Sequence, residues 1–389
     1  MAKAEINPYQ FPWRGGNHFQ LRVDGDSFFP AMLNAIHQAQ QFIALEMYLV
    51  ESGNVLDAFI DALLQAAGHD VKIYLLLDDF GSHGMKKQDR LRLQHANIKL
   101  CFYNPLCYGR LRRMLFRDHR KLLLVDNHTA FIGGAGLTDA FDPSSSQQDY
   151  WHDLMLEIKG PCVADWTQLF IENWPGDNTD FGFFKRLNNA SRASNQEQLG
   201  RVTITQAGNR QEIKASLIKR IKNAEHHAWI ATAYFVPSWK IRRALRHAAR
   251  RGVDVRLILP GPHTDHPAIR HAGRRYYYSL LKHGVRIFEY QPRFSHYKAY
   301  LCDQWSSIGS SNLDRWNFLW NLEGNQEIDD QHFVTELRYV LEKDMTDSTE
   351  IDYKRWQQRP WQWRLLEWFW GRIDLWLHRT ALRWQNRQN

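Results

Sequence analysis

Two stretches of one pattern, H-x-K-x4-D, constrain this 389-residue chain more than any other feature. The first is His119-Arg120-Lys121-Leu122-Leu123-Leu124-Val125-Asp126, and the second is His296-Tyr297-Lys298-Ala299-Tyr300-Leu301-Cys302-Asp303. Of 18 histidines, only these two have a lysine two places on, and both also have an aspartate seven places on. The residues upstream of them follow one order. Helical patterning at 28–41, 55–67 and 87–95 alternates with apolar strands at 42–49, 71–77 and 98–103. In the second half, helical stretches at 211–224, 239–251 and 270–282 alternate with strands at 228–235, 253–259 and 285–290. Tyr48 and Tyr234 stand 186 residues apart, His119 and His296 177.

Matched offsets over such lengths mean one α/β unit used twice. Near-continuous apolar strands call for sheets covered on both faces. The expected fold is therefore α/β, with two duplicated units, each a mixed sheet flanked by helices, packed about a pseudo-twofold axis. The units are placed at 1–186 and 201–345, the polar, aperiodic 187–200 is a linker, and 346–389 is a tail. A site at the mutual face of the units follows, since pockets favour such seams.

Strand alternation would set His119 and Lys121 on one face, and His296 and Lys298 likewise. Asp126 and Asp303 fall on the opposite parity. They complete the motif but read better as ties for the strand than as reacting groups. A lysine beside an imidazole suits phosphate chemistry, because the ammonium offsets anionic oxygens while the imidazole attacks or transfers a proton. Two imidazoles can split one displacement in two through a phosphohistidine. Two lysines can supply the charge neutralisation otherwise given to a metal, so neither metal nor cofactor is called for. Behind each motif lies a small-residue turn, Gly133-Gly134-Ala135-Gly136 and Gly309-Ser310-Ser311-Asn312, where backbone N–H groups could approach a phosphate. Asp153 and Glu323 are the carboxylates that could fix the histidine tautomers.

The net charge of +8 and pI near 9.2 favour acidic partners: phosphate esters, nucleic acid or anionic lipid. Four cysteines show no C-x2-C pair, which excludes the usual zinc spacing and suits a reducing compartment. The first residues, Met1 to Glu5, carry no apolar core of signal-peptide length. No apolar run reaches the roughly 18 residues that a membrane span requires. A cytoplasmic protein, peripheral at the inner membrane, is the expectation.

With these residues in view, the chain resembles the phospholipase D superfamily, and within it the bacterial cardiolipin synthases that lack N-terminal membrane helices. Glu46 and Tyr48, both histidine motifs, Gly309-Ser310-x-Asn312, Asn321-x-Glu323-x-Asn325, and Trp151-x-Asp153 followed by Gly160-Pro161-x-Val163 carry the likeness, across about residues 17–345. The resemblance implies that His119 and His296 are nucleophile and acid, with family precedent choosing His119 as nucleophile. It also implies that Lys121, Lys298 and Asn312 hold the phosphoryl oxygens. It further implies phospholipid substrates (phosphatidylglycerol, with phosphatidylethanolamine as a further candidate) and an anionic membrane surface. One departure stands out: Gly136 replaces the asparagine usual in the first turn.

The basic run 110–117 interleaves Leu111, Met114, Leu115 and Phe116 with arginines, which suits a lipid surface better than a nucleic-acid groove. From Lys354 to Asn389 there are eight Lys/Arg, two acidic residues and seven tryptophans. Trp361, Leu365, Trp368, Phe369, Arg372 and Trp376 recur near helical spacing, so the tail reads as an interfacial helix, with packing on the core as the alternative. Phosphatidyl transfer is the expected activity. Phospholipase D-type hydrolysis of phospholipid or nucleic acid, and a non-catalytic membrane-binding module, are the alternatives. The oligomeric state is left open.

Overall fold

The computed structural model describes residues 9–95, 97–105, 116–145, 150–175, 198–206, 210–315 and 317–385, with side chains of the last helix as far as 375. Most of the basic run (110–115) and most of the linker (187–197) lie outside these residues, as does the Trp376 side chain.

In the first half, β1 (Arg14–Val23), α1 (Gly25–His37), β2 (Phe42–Met47), α2 (Asn54–Gly68), β3 (Lys72–Asp78) and β4 (Ile98–Tyr103) lead to β5 (Lys121–Val125), β6 (Thr129–Gly133), β7 (Leu154–Lys159) and α3 (Cys162–Asn173). In the second half, β8 (Gln198–Gln206), α4 (Glu212–Asn223), β9 (His227–Ala231), α5 (Trp239–Arg250), β10 (Asp254–Pro260), α6 (Pro267–Arg274) and β11 (Arg286–Tyr290) lead to β12 (Ala299–Cys302), β13 (Trp305–Gly309), β14 (Asn321–Asp329) and α7 (Gln331–Thr346). The chain closes with α8 (Trp361–Gln385).

The first sheet runs β4-β3-β2-β5-β6-β7-β1, parallel across its first three strands and antiparallel beyond. The second runs β11-β10-β9-β12-β13-β14-β8 with the same directions. The two meet where β1 pairs with β8 through Arg14–Gly200 and Asn17–Gln198. Duplication thus extends to strand order and direction.

Alternation along β5 explains its unbroken apolar run. Leu122 and Leu124 face a central core shared with Ala299 and Leu301 of β12, while Leu123 and Val125 face the outer core that also holds Ile36 of α1 and Phe59 of α2. At the far end of β5, Asp126 and Asn127 turn the hairpin with φ of 52° and 51°. The Asp126 carboxylate accepts from the N–H groups of Gln40, Gln41 and Phe42 at 2.7, 2.8 and 2.9 Å. Asp303 repeats this on Glu225, His226 and His227 at 2.9, 3.0 and 2.8 Å. Each motif aspartate therefore ties the start of a central parallel strand.

Three expectations need correction. The strands begin at Lys121 and Ala299, so the histidines precede them and strand alternation does not set their direction. The physical reason is that each histidine's backbone is bonded to the opposite unit before its chain enters its own sheet. His119 N–H donates to Leu322 O at 3.0 Å, and His296 N–H donates to His152 O at 2.8 Å. The 270–282 stretch is two short helices, broken at Arg275–Tyr276. The tail does not begin free of the second unit, because Ser348–Glu350 adds to the sheet edge beside β11.

Candidate active site

The crossing of backbones sets the site. Leu322 and His152, which accept those bonds, immediately precede Glu323 and Asp153, so each carboxylate is delivered to the histidine of the other half. His119 Nδ1 lies 2.9 Å from Glu323 Oε1, and His296 Nδ1 lies 2.7 Å from Asp153 Oδ2. A carboxylate on Nδ1 selects the tautomer with its proton there and leaves the Nε2 lone pair for chemistry. Glu323 is itself held by the Ser310 hydroxyl and by Asn321 Nδ2 at 3.3 Å. Asp153 accepts the Leu154 N–H at 2.7 Å.

Gly134 and Ser310 of the small-residue turns stand against these carboxylates. A Cβ at Gly134 would collide with the Asp153 carboxylate, and the Gly134 N–H is directed at Leu154 O. Ser310 N–H likewise donates to Gly324 O at 3.2 Å. Asn312 is different. Its Oδ1 accepts from Tyr234 N–H at 3.3 Å and the Thr232 hydroxyl at 3.4 Å, which leaves its NH2 as the donor end on the cavity it lines. Glu46 lies fully buried and braced by Arg120 at 2.8 Å, and Asn325 donates to Ser307 Oγ. Both support the site from behind.

Lys121 Nζ donates to His119 O at 2.7 Å, and Lys298 Nζ donates to His296 O. Lys298 Nζ also lies 3.0 Å from His296 Nε2. His119 instead meets the Tyr48 ring at 4.7 Å, and Lys121 stands over that ring at 5.0 Å. His296 sits among Phe141, Trp151, Phe294 and Tyr234, with ring centroids 5.3 to 6.5 Å away. The repeat offset marks the Tyr48–Tyr234 pair in the sequence. Trp151 is marked by the Trp151-x-Asp153 pattern, whereas Phe141 and Phe294 around His296 and the tail residues over the cavity carry no local signal.

Burial and crowding of like charge control the titrations. Burial, then the charge of Lys298, lowers the Lys121 ammonium to about 7. Burial lowers Lys298 to about 8 against the pull of Asp153 and Glu323. His296 falls well below the ordinary imidazole value through burial and then the two lysines. His119 is lowered by burial, with Glu323 opposing. Burial raises Asp153 to about 6, with Lys298 opposing. His152 goes the other way. Burial alone would lower it, but Asp24 at 2.6 Å and Asp344 at 3.1 Å carry it up to about 9.

This set is short of negative charge, so an anion that enters should bring protons with it. Tungstate, which does not titrate near neutrality, is expected to bind with proton uptake at pH 8 and to weaken as pH rises from 7 to 9. The sign follows because the bound state restores the lysine pKa values that the empty site depresses. Calorimetry in buffers of different ionisation enthalpy reads the uptake, and zero uptake would contradict it.

A cavity of about 330 Å³ opens beside His119 and is lined by Tyr48, His119, Tyr234, Asn312, Trp370 and Asp374, among others. The last two belong to α8, so the tail walls the site. At the position matching Asn312, a Cβ on Gly136 would stand 2.5 Å from Leu49 O and 2.8 Å from Leu49 Cβ. The chain has filled the place of the missing asparagine with Leu49. Gly136→Asn is therefore expected to destabilise the fold by about 1–3 kcal/mol through overpacking, read as a lowered unfolding midpoint.

Two histidine–lysine pairs on duplicated sheets, each histidine backed by a carboxylate, define a phospholipase D-type phosphoryl-transfer fold. The family model described as "Cardiolipin synthase, PLD-like domain" matches residues 32–174 and 217–345, and the chain belongs to that family. It is 35% identical over 359 residues to cardiolipin synthase B of Escherichia coli K12, covering 91% of this chain and 86% of the relative. It is 30% identical to cardiolipin synthase A of Pseudomonas aeruginosa over 353 residues, covering 90% and 71%. The crystal structure of phosphatidylserine synthase from Haemophilus influenzae superposes with a TM-score of 0.72 at 14% identity, over 95% of this chain and 97% of that one, which shows the shared fold.

Proposed function

We propose that the protein joins two molecules of phosphatidylglycerol into cardiolipin through a phosphohistidine on His119. It is a phosphatidyltransferase of the phospholipase D superfamily; the donor, the acceptor and the roles of individual residues are our reading. The observation that carries it is the reciprocal bracing, which points two Nε2 lone pairs at one shared site. Of the two, His119 lines the open cavity, while Lys298 Nζ lies against the His296 ring, 3.0 Å from Nε2 and 3.2 Å from Nδ1. That supports His119 as the attacking group.

In the first step His119 Nε2 bonds to phosphorus and the bond to the head-group glycerol oxygen breaks; His296, which gains a proton on Nε2 through the uptake that accompanies entry of the anionic substrate, gives that oxygen the proton. In the second, the hydroxyl of another phosphatidylglycerol attacks phosphorus, His296 takes its proton, and the P–N bond breaks. Lys121, Lys298 and the Asn312 NH2 offset the charge on the equatorial oxygens. As anionic substrate satisfies Lys298, it releases His296 Nε2 for the proton. Purified protein with phosphatidylglycerol vesicles should release glycerol and form cardiolipin. Phosphatidic acid as the sole lipid product would replace transfer with hydrolysis.

Vesicle binding is assigned to α8. Among the described residues no helix is long and apolar enough to cross a membrane. Trp361, Leu365, Trp368 and Phe369 are 68, 54, 59 and 49% exposed along one stripe, with Arg372 5.9 Å from the Trp368 ring. Aromatic and basic residues so mixed suit the head-group boundary of an anionic leaflet. A peripheral place on the cytoplasmic face of the inner membrane follows. Replacing these four residues by serine should abolish flotation with anionic vesicles. Unchanged flotation would refute the anchor.

A further inference from the structure

The underside of α8 does something its exposed stripe does not require. Asp374 is buried, lines the cavity, and points its carboxylate at two guanidinium groups behind it. Arg275 Nη2 lies 3.3 Å from Asp374 Oδ2, and Arg315 Nη1 lies 3.8 Å from the same oxygen. Tyr276 joins them, its hydroxyl accepting from Arg275 and from Arg315 Nη2 at 3.0 Å. Arg242 adds a third guanidinium 4.1 Å from the Tyr276 ring; its Nε, like that of Arg275, is buried and has no hydrogen-bond partner among the described residues. Asp314, another carboxylate of this cavity, accepts the Asn317 N–H at 2.8 Å. Positive charge is thus in excess behind Asp374, and Arg315 lies three residues along the chain from Asn312, which lines the same cavity as Asp374.

A reaction that joins two phospholipids needs such a place. Its product carries two phosphodiesters bridged by a single glycerol, so a second cationic subsite must lie within reach of the cavity that His119 and Asp374 line. Guanidinium forks match phosphate oxygens in pairs, which an ammonium cannot do. We propose that Arg275 and Arg315, joined by Tyr276, form the subsite for the phosphodiester of the acceptor lipid, and that Asp374 occupies it as an internal stand-in. The proposal rests on the phosphatidyl-transfer reading. The carboxylate keeps the arginines paired while the site is empty, and it belongs to the same helix that carries the exposed aromatic stripe. Displacement of Asp374 by the acceptor phosphate is therefore coupled to a helix that rests on lipid.

The test reads how one intermediate divides among competing acceptors, which does not depend on how fast the intermediate forms. Phosphatidylglycerol vesicles containing ethanol offer three: a second lipid, ethanol and water. The variant Arg275→Gln/Arg315→Gln/Asp374→Asn removes the subsite without leaving a buried charge unpaired. It should lower the ratio of cardiolipin to phosphatidic acid about tenfold or more. The ratio of phosphatidylethanol to phosphatidic acid should hold, because ethanol has no phosphate to seat. Asp374→Asn alone should raise the cardiolipin ratio, since it frees the arginines, and it serves on its own should the triple variant not fold. Arg286→Gln, which breaks a surface pair with Glu350, is the charge control. A fall of both ratios together, or of neither, would mean that the arginines only dock α8, and would overturn the subsite. Wild-type protein that forms no cardiolipin would instead refute the transfer reading.

Discussion

His119→Ala should lower phosphatidyl transfer by about 10⁴-fold or more and leave no phosphoenzyme with any donor, because no other group can form the P–N bond. His296→Ala should be as slow with phosphatidylglycerol, whose glycerol must leave with a proton. It should nevertheless label His119 when the donor carries p-nitrophenol, which leaves without one. The difference assigns the roles: no label in His119→Ala, and label in His296→Ala, detected by mass at neutral pH, because acid cleaves the P–N bond, on the peptide around residue 119. Label on the peptide around residue 296 in the His119 variant would reverse the assignment. The geometry that motivates the prediction is local. His119 lines the cavity, and Lys298 Nζ crowds the His296 ring at 3.0 Å from Nε2 and 3.2 Å from Nδ1.

The carboxylates should then sort by the histidine they touch rather than by the half that encodes them. Glu323→Gln is expected to behave as a weakened His119 variant, and Asp153→Asn as a weakened His296 variant. Each should lose on the order of 10²–10⁴ in rate, as when the acid of a triad is replaced by its amide. Only Asp153→Asn should recover with the p-nitrophenyl donor. Recovery of Glu323→Gln, or failure of both, would show that the contacts of 2.9 and 2.7 Å do not govern reactivity.

The repeat and the chain order of its helices and parallel strands are legible in the sequence because apolar periodicity and the spacing of whole motifs survive without knowledge of the fold, whereas the order of strands within each sheet is not. The two His/Lys pairs stand out for the same reason, since a histidine, a lysine and an aspartate at fixed spacing occur twice and nowhere else. Asp126 and Asp303 do act as ties, through bonds to the Phe42 and His227 backbones, although the parity argument that sets them apart fails because the histidines precede the strands. What is not legible is contact between units. Nothing local in His152-Asp153 or Leu322-Glu323 says that these stretches pair with the opposite histidine, because an extended segment can lend its backbone to either sheet. The purpose of Gly134 is hidden likewise, since a glycine that admits a side chain looks the same as one that admits a ligand. The tail pattern shows an amphipathic helix, but its buried Asp374 reads as a solvent-facing acid until the arginines are in place.

The reciprocal bracing also bears on ancestry. A chain with one such unit would hold a histidine with no acid behind it and an acid with no histidine, so it could complete a site only by pairing with its own copy. In that symmetric pair any substitution would strike both sides at once. Joining the units in one chain replaces a concentration-dependent encounter with a fixed one. It also lets each side specialise: aspartate against glutamate, glycine against serine, Gly136 against Asn312. The asymmetry at Gly136 is then no defect of the first unit. It marks a division of labour that only a fused pair can acquire.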